Sequence, residues 1–425
     1  MNSNNNLIIC KEKSYSLDCR LTHVNNNVLV VGTSGAGKTR SIVTPNLLCA
    51  AGSYIVSDPK GSLYKKYGHY LRNKGYIVKN LDFTDPKNST KYNFFRYIHG
   101  SEDIVKISRV FVGDECGRSD PFWNQSAIML LNAAIGYLYE FTHDYDRNIQ
   151  NILKVLKLAR REESYSESTY SSRFSCMIAK AKEQKPDSWA VAQFEAVNTA
   201  PDRTFNSILI TVLSKIAGFA SEGIENMTMS DYMNITQIGR KKTVVFVTVS
   251  DTDRSMDDLA NIFYTQAMQT LCDYADKKCE NQSLPVPIRF IMDDFATNCK
   301  IEEFPRIIST IRSRNISAML MIQAESQLAA SFGNDASTII GNCDTYVYMG
   351  GNDRATADEV ARRANLPLSK ILYMPVGTNW VFRRGEMPFN GNNVDLDEFI
   401  KDNCPDLQYE SRKTNEYAGK QDLII

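Results

Sequence analysis

Histidine is scarce in this chain, with four in 425 residues, and the ten cysteines form no C-x-x-C pair and no cysteine–histidine cluster at zinc spacing. Zinc modules and dithiol redox motifs are thereby excluded, and the scattered cysteines read as free thiols in a reducing cytoplasm. An excess of either charge is also missing, since Lys plus Arg and Asp plus Glu stand at 49 each. No global basic field advertises nucleic acid, so any DNA contact has to be local or built by several subunits around one strand. Long apolar runs are absent too. The polar start Met1 to Asn6 lacks the basic and apolar regions of a signal peptide, and Leu7-Ile8-Ile9 is too short to cross a bilayer. The most membrane-like stretch, Phe122 to Phe141, is interrupted by Asn124, Gln125, Ser126 and Asn132. It reads as a buried helix with Asp120 as N-cap and Pro121 at the first helical position. The chain is expected to be soluble, with no internal repeats.

What is present is a complete G-x-x-x-x-G-K-[ST] phosphate loop, Gly32-Thr33-Ser34-Gly35-Ala36-Gly37-Lys38-Thr39, directly after the apolar run Val28 to Val31. Glycines allow successive backbone N–H groups to curl around phosphates, and the following helix aims its N-terminus at them. Lys38 is expected to reach the β- and γ-phosphates of ATP, and Thr39 to offer its hydroxyl to Mg²⁺. A glycine turn without ligand is the plain alternative.

The surrounding pattern alternates strand and helix: Val28 to Val31, Tyr54 to Ser57 and Tyr76 to Val78 as strands, with Thr39 to Leu48 helical. That alternation predicts a parallel sheet with helical crossovers. Strand signals then vanish between Glu102 and Asn234. Apolar residues recur there at helical spacing in Ile128 to Tyr139, Ile149 to Leu158, Trp189 to Val197 and Phe205 to Phe219, which predicts an inserted all-α domain. The sheet resumes with Thr243 to Val249, Ile288 to Met292, Ala318 to Ile322, Thr345 to Tyr348 and Trp380 to Phe382. The expected division is a nucleotide-binding domain over 1–101 and 236–390, an all-α substrate-recognition domain over 102–235, and a polar tail over 391–425. The charged, serine-rich stretch Arg160 to Ser172 reads as a solvated loop or helix end, and Phe122, Trp123 and Trp189 as core rather than as a partner surface.

The strand Ile288 to Met292 delivers Asp293 and Asp294 to the carboxyl edge of the sheet, where ligands sit in open α/β folds. Asp293 would order Mg²⁺ through its water shell and Asp294 would activate the attacking water. A helix cap or turn is the bland alternative. Gln323, at the tip of the next strand, could sense the γ-phosphate. Arg312 and Arg314 precede that strand, and in a ring one of them could serve a neighbour's nucleotide as an arginine finger.

With these residues in hand, the chain resembles the type IV secretion coupling proteins, hexameric motors that deliver relaxase-bound DNA to conjugative channels. The resemblance runs over about residues 25 to 390. It is carried by the phosphate loop, Ser57-Asp58-Pro59-Lys60-Gly61, Asp120-Pro121-Phe122-Trp123, Arg203 to Leu209, Asp293-Asp294-Phe295, Gln323 with Gln327-Leu328, and Met374-Pro375 followed by Phe382 to Gly385. It implies a RecA-like P-loop motor with an all-α insertion, a homo-hexameric ring around single-stranded DNA, and channel components as partners. It further implies Lys38 as nucleotide lysine, Thr39 as metal hydroxyl, Asp293 as second-motif acid, Asp294 as base, Gln323 as sensor and Arg312 as finger.

Two features depart from the family pattern. The usual N-terminal transmembrane region is not seen, so the resemblance implies a truncated or naturally soluble member of the family, or one held at the inner face of the bacterial membrane by a separate membrane anchor. Asp294 stands where Glu is common, and a carboxylate shorter by one methylene slows a base that must sit within about 1 Å of its mark. A substrate receptor or assembly scaffold with weak hydrolysis is therefore the competing reading; under the motor reading, the segments around Lys60 to Lys66 and Ser250 to Arg254 are candidates for the pore because they follow sheet strands. A purified monomer is compatible with a ring that forms only on DNA or a membrane partner.

Overall fold

The computed structural model describes residues 6–113, 121–161, 172–295 and 301–407. Asp120 and most of the Arg160 to Ser172 stretch lie outside them, as do residues 408–425. The described residues divide into two compact units, one of residues 6–80, 235–251 and 268–407 and one of 81–234 and 252–267.

The first unit is built on a nine-stranded sheet. Its strands are β3 (Val28–Val31), β4 (Ser53–Ser57), β5 (Ile77–Asp82), β6 (Thr243–Thr248), β7 (Ile288–Met292), β8 (Ile316–Ile322), β9 (Thr345–Tyr348), β10 (Thr378–Arg383) and β11 (Phe389–Asn392). Their order is β11-β10-β9-β3-β8-β7-β4-β6-β5. From β9 to β6 the neighbours are parallel, and β10 and β11 add antiparallel edge strands. The runs VLVV, TVVFVT and IRFIM are buried along their whole length, which is why they show no alternation in sequence. A separate pair, β1 (Asn6–Ile8) and β2 (Ser14–Ser16), is antiparallel.

Residues 391–407, expected as the start of a polar tail, instead finish β11 and form the helix Leu396–Asn403. The polar residues there are working parts. Asp395 accepts the N–H groups of Asp397 and Glu398 to start the helix, while Leu396, Phe399 and Ile400 pack against the core of the sheet.

The second unit is helical throughout its long elements: Ser101–Val112, Pro121–Phe141, Ile149–Leu158, Arg173–Gln184, Trp189–Asn198 and Asp202–Ile216. It begins at Leu81 rather than at residue 102 because the short 3₁₀ turn Phe94–Tyr97 belongs to its core, with Phe94 and Phe111 in edge contact at 6.0 Å. It also claims 252–267. Tyr92 donates to Gln266 Oε1 at 2.6 Å and Gln266 returns its amide to the Phe94 carbonyl at 3.0 Å, so the first half of helix Asp257–Lys278 is tied in. Gly136 is what lets Pro121–Phe141 and Trp189–Asn198 meet closely, since a Cβ there would sit 2.9 Å from that of Ala190.

Arg161, read from sequence as solvated, is 7% exposed. It donates to the carbonyls of Asn198 and Ala200 and to Asp202, and its guanidinium lies 4.1 Å from the centre of the Phe205 ring. Phe122 and Trp123, expected in the core, are 49% and 37% exposed on the first turn of their helix. Among the described residues no single helix is long and apolar enough to cross a membrane, Pro121–Phe141 included.

Candidate nucleotide site

Because β3, β8 and β7 run parallel and adjacent, their carboxyl ends stand side by side. The phosphate loop leaves β3, Gln323 follows β8, and Asp293-Asp294 follow β7. Gly35 and Gly37 hold φ of 82° and 88°, a left-handed backbone that side chains resist, so the loop can turn its N–H groups to one centre. After the loop the chain enters a π turn, Thr39–Val43, before continuing as Thr44–Leu48. Pro45 has no N–H to give to a residue four back, and the Thr44 N–H bonds to Thr39 instead, which widens the first turn under the loop.

Lys38 is 8% exposed, and its ammonium donates to the carbonyls of Gly32 and Thr33. Burial lowers its pKa, and the nearby Asp293 and Asp294 oppose that shift. Thr39 donates its hydroxyl to Asp293 Oδ2 at 3.0 Å across 254 residues of sequence. Burial raises the Asp293 pKa, and the charge of Asp294 raises it further, against the Thr39 hydrogen bond and Lys38. A carboxylate strained in this way is a ready partner for a divalent cation.

Asp294 sits at φ 48°, a left-handed conformation at the strand end that is uncommon outside glycine. The Gln323 amide reaches its Oδ1 at 3.4 Å, and the Gln323 N–H is held by Gln327 Oε1 at 3.0 Å. Phe295 is buried between Phe304 and Phe332, with ring centres 4.8 and 5.5 Å away, and so anchors the segment that carries both acids.

The structure thus brings Lys38, Thr39, Asp293, Asp294 and Gln323 together. Arg312 is not among them within the chain. It is exposed in the turn Ile311–Arg314 ahead of β8, so that the whole strand, about 20 Å at 3.3 Å per residue, separates it from the Gln323 end, and its Nη2 donates to the Cys19 carbonyl at 3.3 Å. Arg314 forms a forked pair with Asp276 at 2.8 and 2.7 Å.

The D-P-K-G element proves to be a cap. The Asp58 carboxylate, 2% exposed, accepts the N–H groups of Ser62, Leu63 and Tyr64 at the start of helix Ser62–Asn73, with Gly61 at φ 61° making the turn. Sequence reasoning missed the support behind the phosphate loop. Gly350 accepts the Thr33 N–H at 3.0 Å, and Asn393 reaches the Ala36 carbonyl at 3.4 Å. The pair Gly350-Gly351 after an apolar strand was the available signal for the first; Asn393 carried none.

Strand placement of this kind, with one strand between the phosphate loop and the acids, is that of a RecA-like P-loop NTPase. The family model described as Type IV secretory system Conjugative DNA transfer matches residues 2–364, and the chain belongs to that family, the type IV secretion coupling proteins. Among solved structures, the bacterial conjugative coupling protein TrwBdeltaN70 in complex with sulphate aligns with a TM-score of 0.64 at 16% identity, over 87% of this chain and 85% of that one. TrwB in complex with the non-hydrolysable ATP analogue ADPNP gives 0.63 at 16% over 87% and 85%. VirB4 of Thermoanaerobacter pseudethanolicus gives 0.52 at 11% over 93% and 97%. These likenesses establish the fold. Comparison with curated protein sequences gives no match.

Proposed function

We propose that this chain is an ATP-driven coupling protein that recruits relaxase-bound single-stranded DNA and moves it into a conjugative secretion channel. The observation that carries the reading is the convergence of Lys38, Thr39, Asp293, Asp294 and Gln323 on one sheet edge in a member of the conjugative transfer family.

ATP would lay its phosphates in the loop, with Lys38 exchanging the loop carbonyls for phosphate oxygens. Thr39 and Asp293, already in hydrogen-bond contact, fit a Mg²⁺ ion that neutralises phosphate charge when bound. Asp294 accepts a proton from the water that attacks the γ-phosphorus, and ADP leaves as the bond to its β-phosphate oxygen breaks. Gln323 touches the base, so loss of the γ-phosphate is passed to β8 through that contact. TrwB has been solved with ADP and Mg²⁺, in line with this assignment. Arg312, at the far edge of β8, serves as a finger only toward a neighbouring subunit, which makes the homo-hexameric ring part of the proposal. Relaxase, channel components and a membrane anchor at the inner face of the membrane complete it. Lys60, exposed after β4, is the first residue to try as a DNA contact.

The competing reading is an ATP-binding receptor or scaffold with slow hydrolysis. The short Asp294 side chain, engaged by Gln323, favours it. ATP turnover of the purified chain with and without single-stranded DNA, beside Lys38→Ala and Asp294→Asn, separates the two. DNA-stimulated turnover lost in both variants supports the motor; turnover no greater than theirs in a chain that binds ATP and assembles supports the receptor.

A further inference from the structure

The starting ends of β4, β7 and β8, opposite the phosphate loop, border a cavity of about 700 Å³, a size common among small-ligand sites. Arg289 lines it. This residue lies in register between Tyr54 on β4 and Ser317 on β8, in the middle of the parallel sheet, and is 6% exposed. A cation there is costly unless its charge is answered. Among the described residues its side chain makes one hydrogen bond, Nε to Ser317 Oγ at 3.3 Å, and no carboxylate pairs with it. Burial lowers its pKa, and the groups that oppose this are Tyr54, Cys49 and Cys19 rather than an acid.

The exposed Arg20, His23 and Arg312 line the same cavity, against Asp18 as the one acid in its lining. Asp18 is occupied in capping, since it accepts the Arg20 N–H at 2.9 Å. Three guanidinium groups facing one acid suit a group with two negative charges, and their planar forks suit phosphate oxygens.

We propose that this cavity is a second ligand site, separate from the phosphate loop, which takes a phosphorylated small molecule with its anionic group on Arg289 and with Arg20 and Arg312 beside it.

Calorimetric titration of the full chain with pyrophosphate and with AMP tests the assignment, in wild type, Lys38→Ala, Arg289→Met and Arg20→Glu. Two classes of pyrophosphate site are expected. Arg289→Met and Arg20→Glu should each weaken one class by about tenfold or more and spare the other, while Lys38→Ala does the reverse. Tighter binding of AMP than of pyrophosphate to the Arg289-dependent class adds a nucleoside to the ligand; equal binding supports an anion held without one. Loss of all binding in Lys38→Ala, with binding unchanged in Arg289→Met and Arg20→Glu, overturns the site and leaves Arg289 a structural cation. Arg20 is on the surface, so its variant decides the matter even if Arg289→Met does not fold.

Discussion

Gln323 reaches Asp294 across the edge of the sheet, Nε2 to Oδ1 at 3.4 Å, and so joins the end of β8 to the end of β7. The contact links the proposed base to the strand that would report on the γ-phosphate. Gln323→Ala should lower ATP turnover by about tenfold to a hundredfold, the usual cost of a misplaced reacting group, while ATP affinity stays within a few-fold. Steady-state kinetics beside direct ATP titration checks the split; equal losses in both would assign Gln323 to binding.

Asp293→Asn should abolish turnover and stabilise the fold at neutral pH. The Asp293 pKa is raised in the folded chain, so its ionised form is penalised there, and wild-type stability falls as pH rises through that pKa. The amide removes the penalty and keeps an acceptor for the Thr39 hydroxyl. Melting temperatures at pH 8 and pH 4 should therefore differ between variant and wild type at the higher pH and converge at the lower one.

Asp258 gives the helical unit its own pH dependence. Burial pushes its carboxyl up to about 6, with Asp257 adding to the shift and Lys215 and Arg254 opposing it. Stability contributed by the neutral form is present at low pH and lost as pH rises through about 6. Asp258→Asn should raise thermal stability at pH 8 and change it little at pH 4, as seen by circular dichroism. A gain at pH 4 as large as at pH 8 would refute the titration.

Asp58→Ala should cost about 1–3 kcal/mol, since three helix-start N–H groups lose a buried acceptor. Urea denaturation followed in the sheet unit reads this loss. A cost near zero would mean that Gly61 and water cap the helix unaided.

Arg161→Ala should destabilise the helical unit by about 1–3 kcal/mol, because the buried guanidinium ties together two chain carbonyls, Asp202 and the Phe205 ring. Its place was hidden in the sequence for a physical reason. Local composition around Arg161 is charged and serine-rich, and only the distant segment Asn198 to Asn206 explains its burial: Asn198, Ala200 and Asp202 accept from the guanidinium, Phe205 supplies the ring, and Asn206 exchanges hydrogen bonds with the Arg161 backbone. The buried parallel strands, by contrast, were legible because each is a short, mainly apolar run that needs no partner to be recognised, although Arg289 interrupts β7. The placement of the phosphate loop and the two acids was legible because the loop follows a fixed residue pattern after one apolar strand and the acids end another. Asn393 and Gly350, which brace the loop from behind, obey no such spacing and depend on the strand order. The helix Leu396–Asn403 was missed because its sequence is mostly polar, and a one-sided apolar stripe of Leu396, Phe399 and Ile400 is short evidence over eight residues.

The hydrogen bond from Thr39 to Asp293 spans 254 residues, and Gln323 lies farther along the chain still. During synthesis the phosphate loop leaves the ribosome long before β7 and β8 exist, so a growing chain holds the glycine loop without acids or sensor. All of the helical unit is made in that interval. Contacts of such sequence separation form late and slowly, and the candidate nucleotide site is accordingly completed only after about three quarters of the chain, the whole helical unit included, has been made.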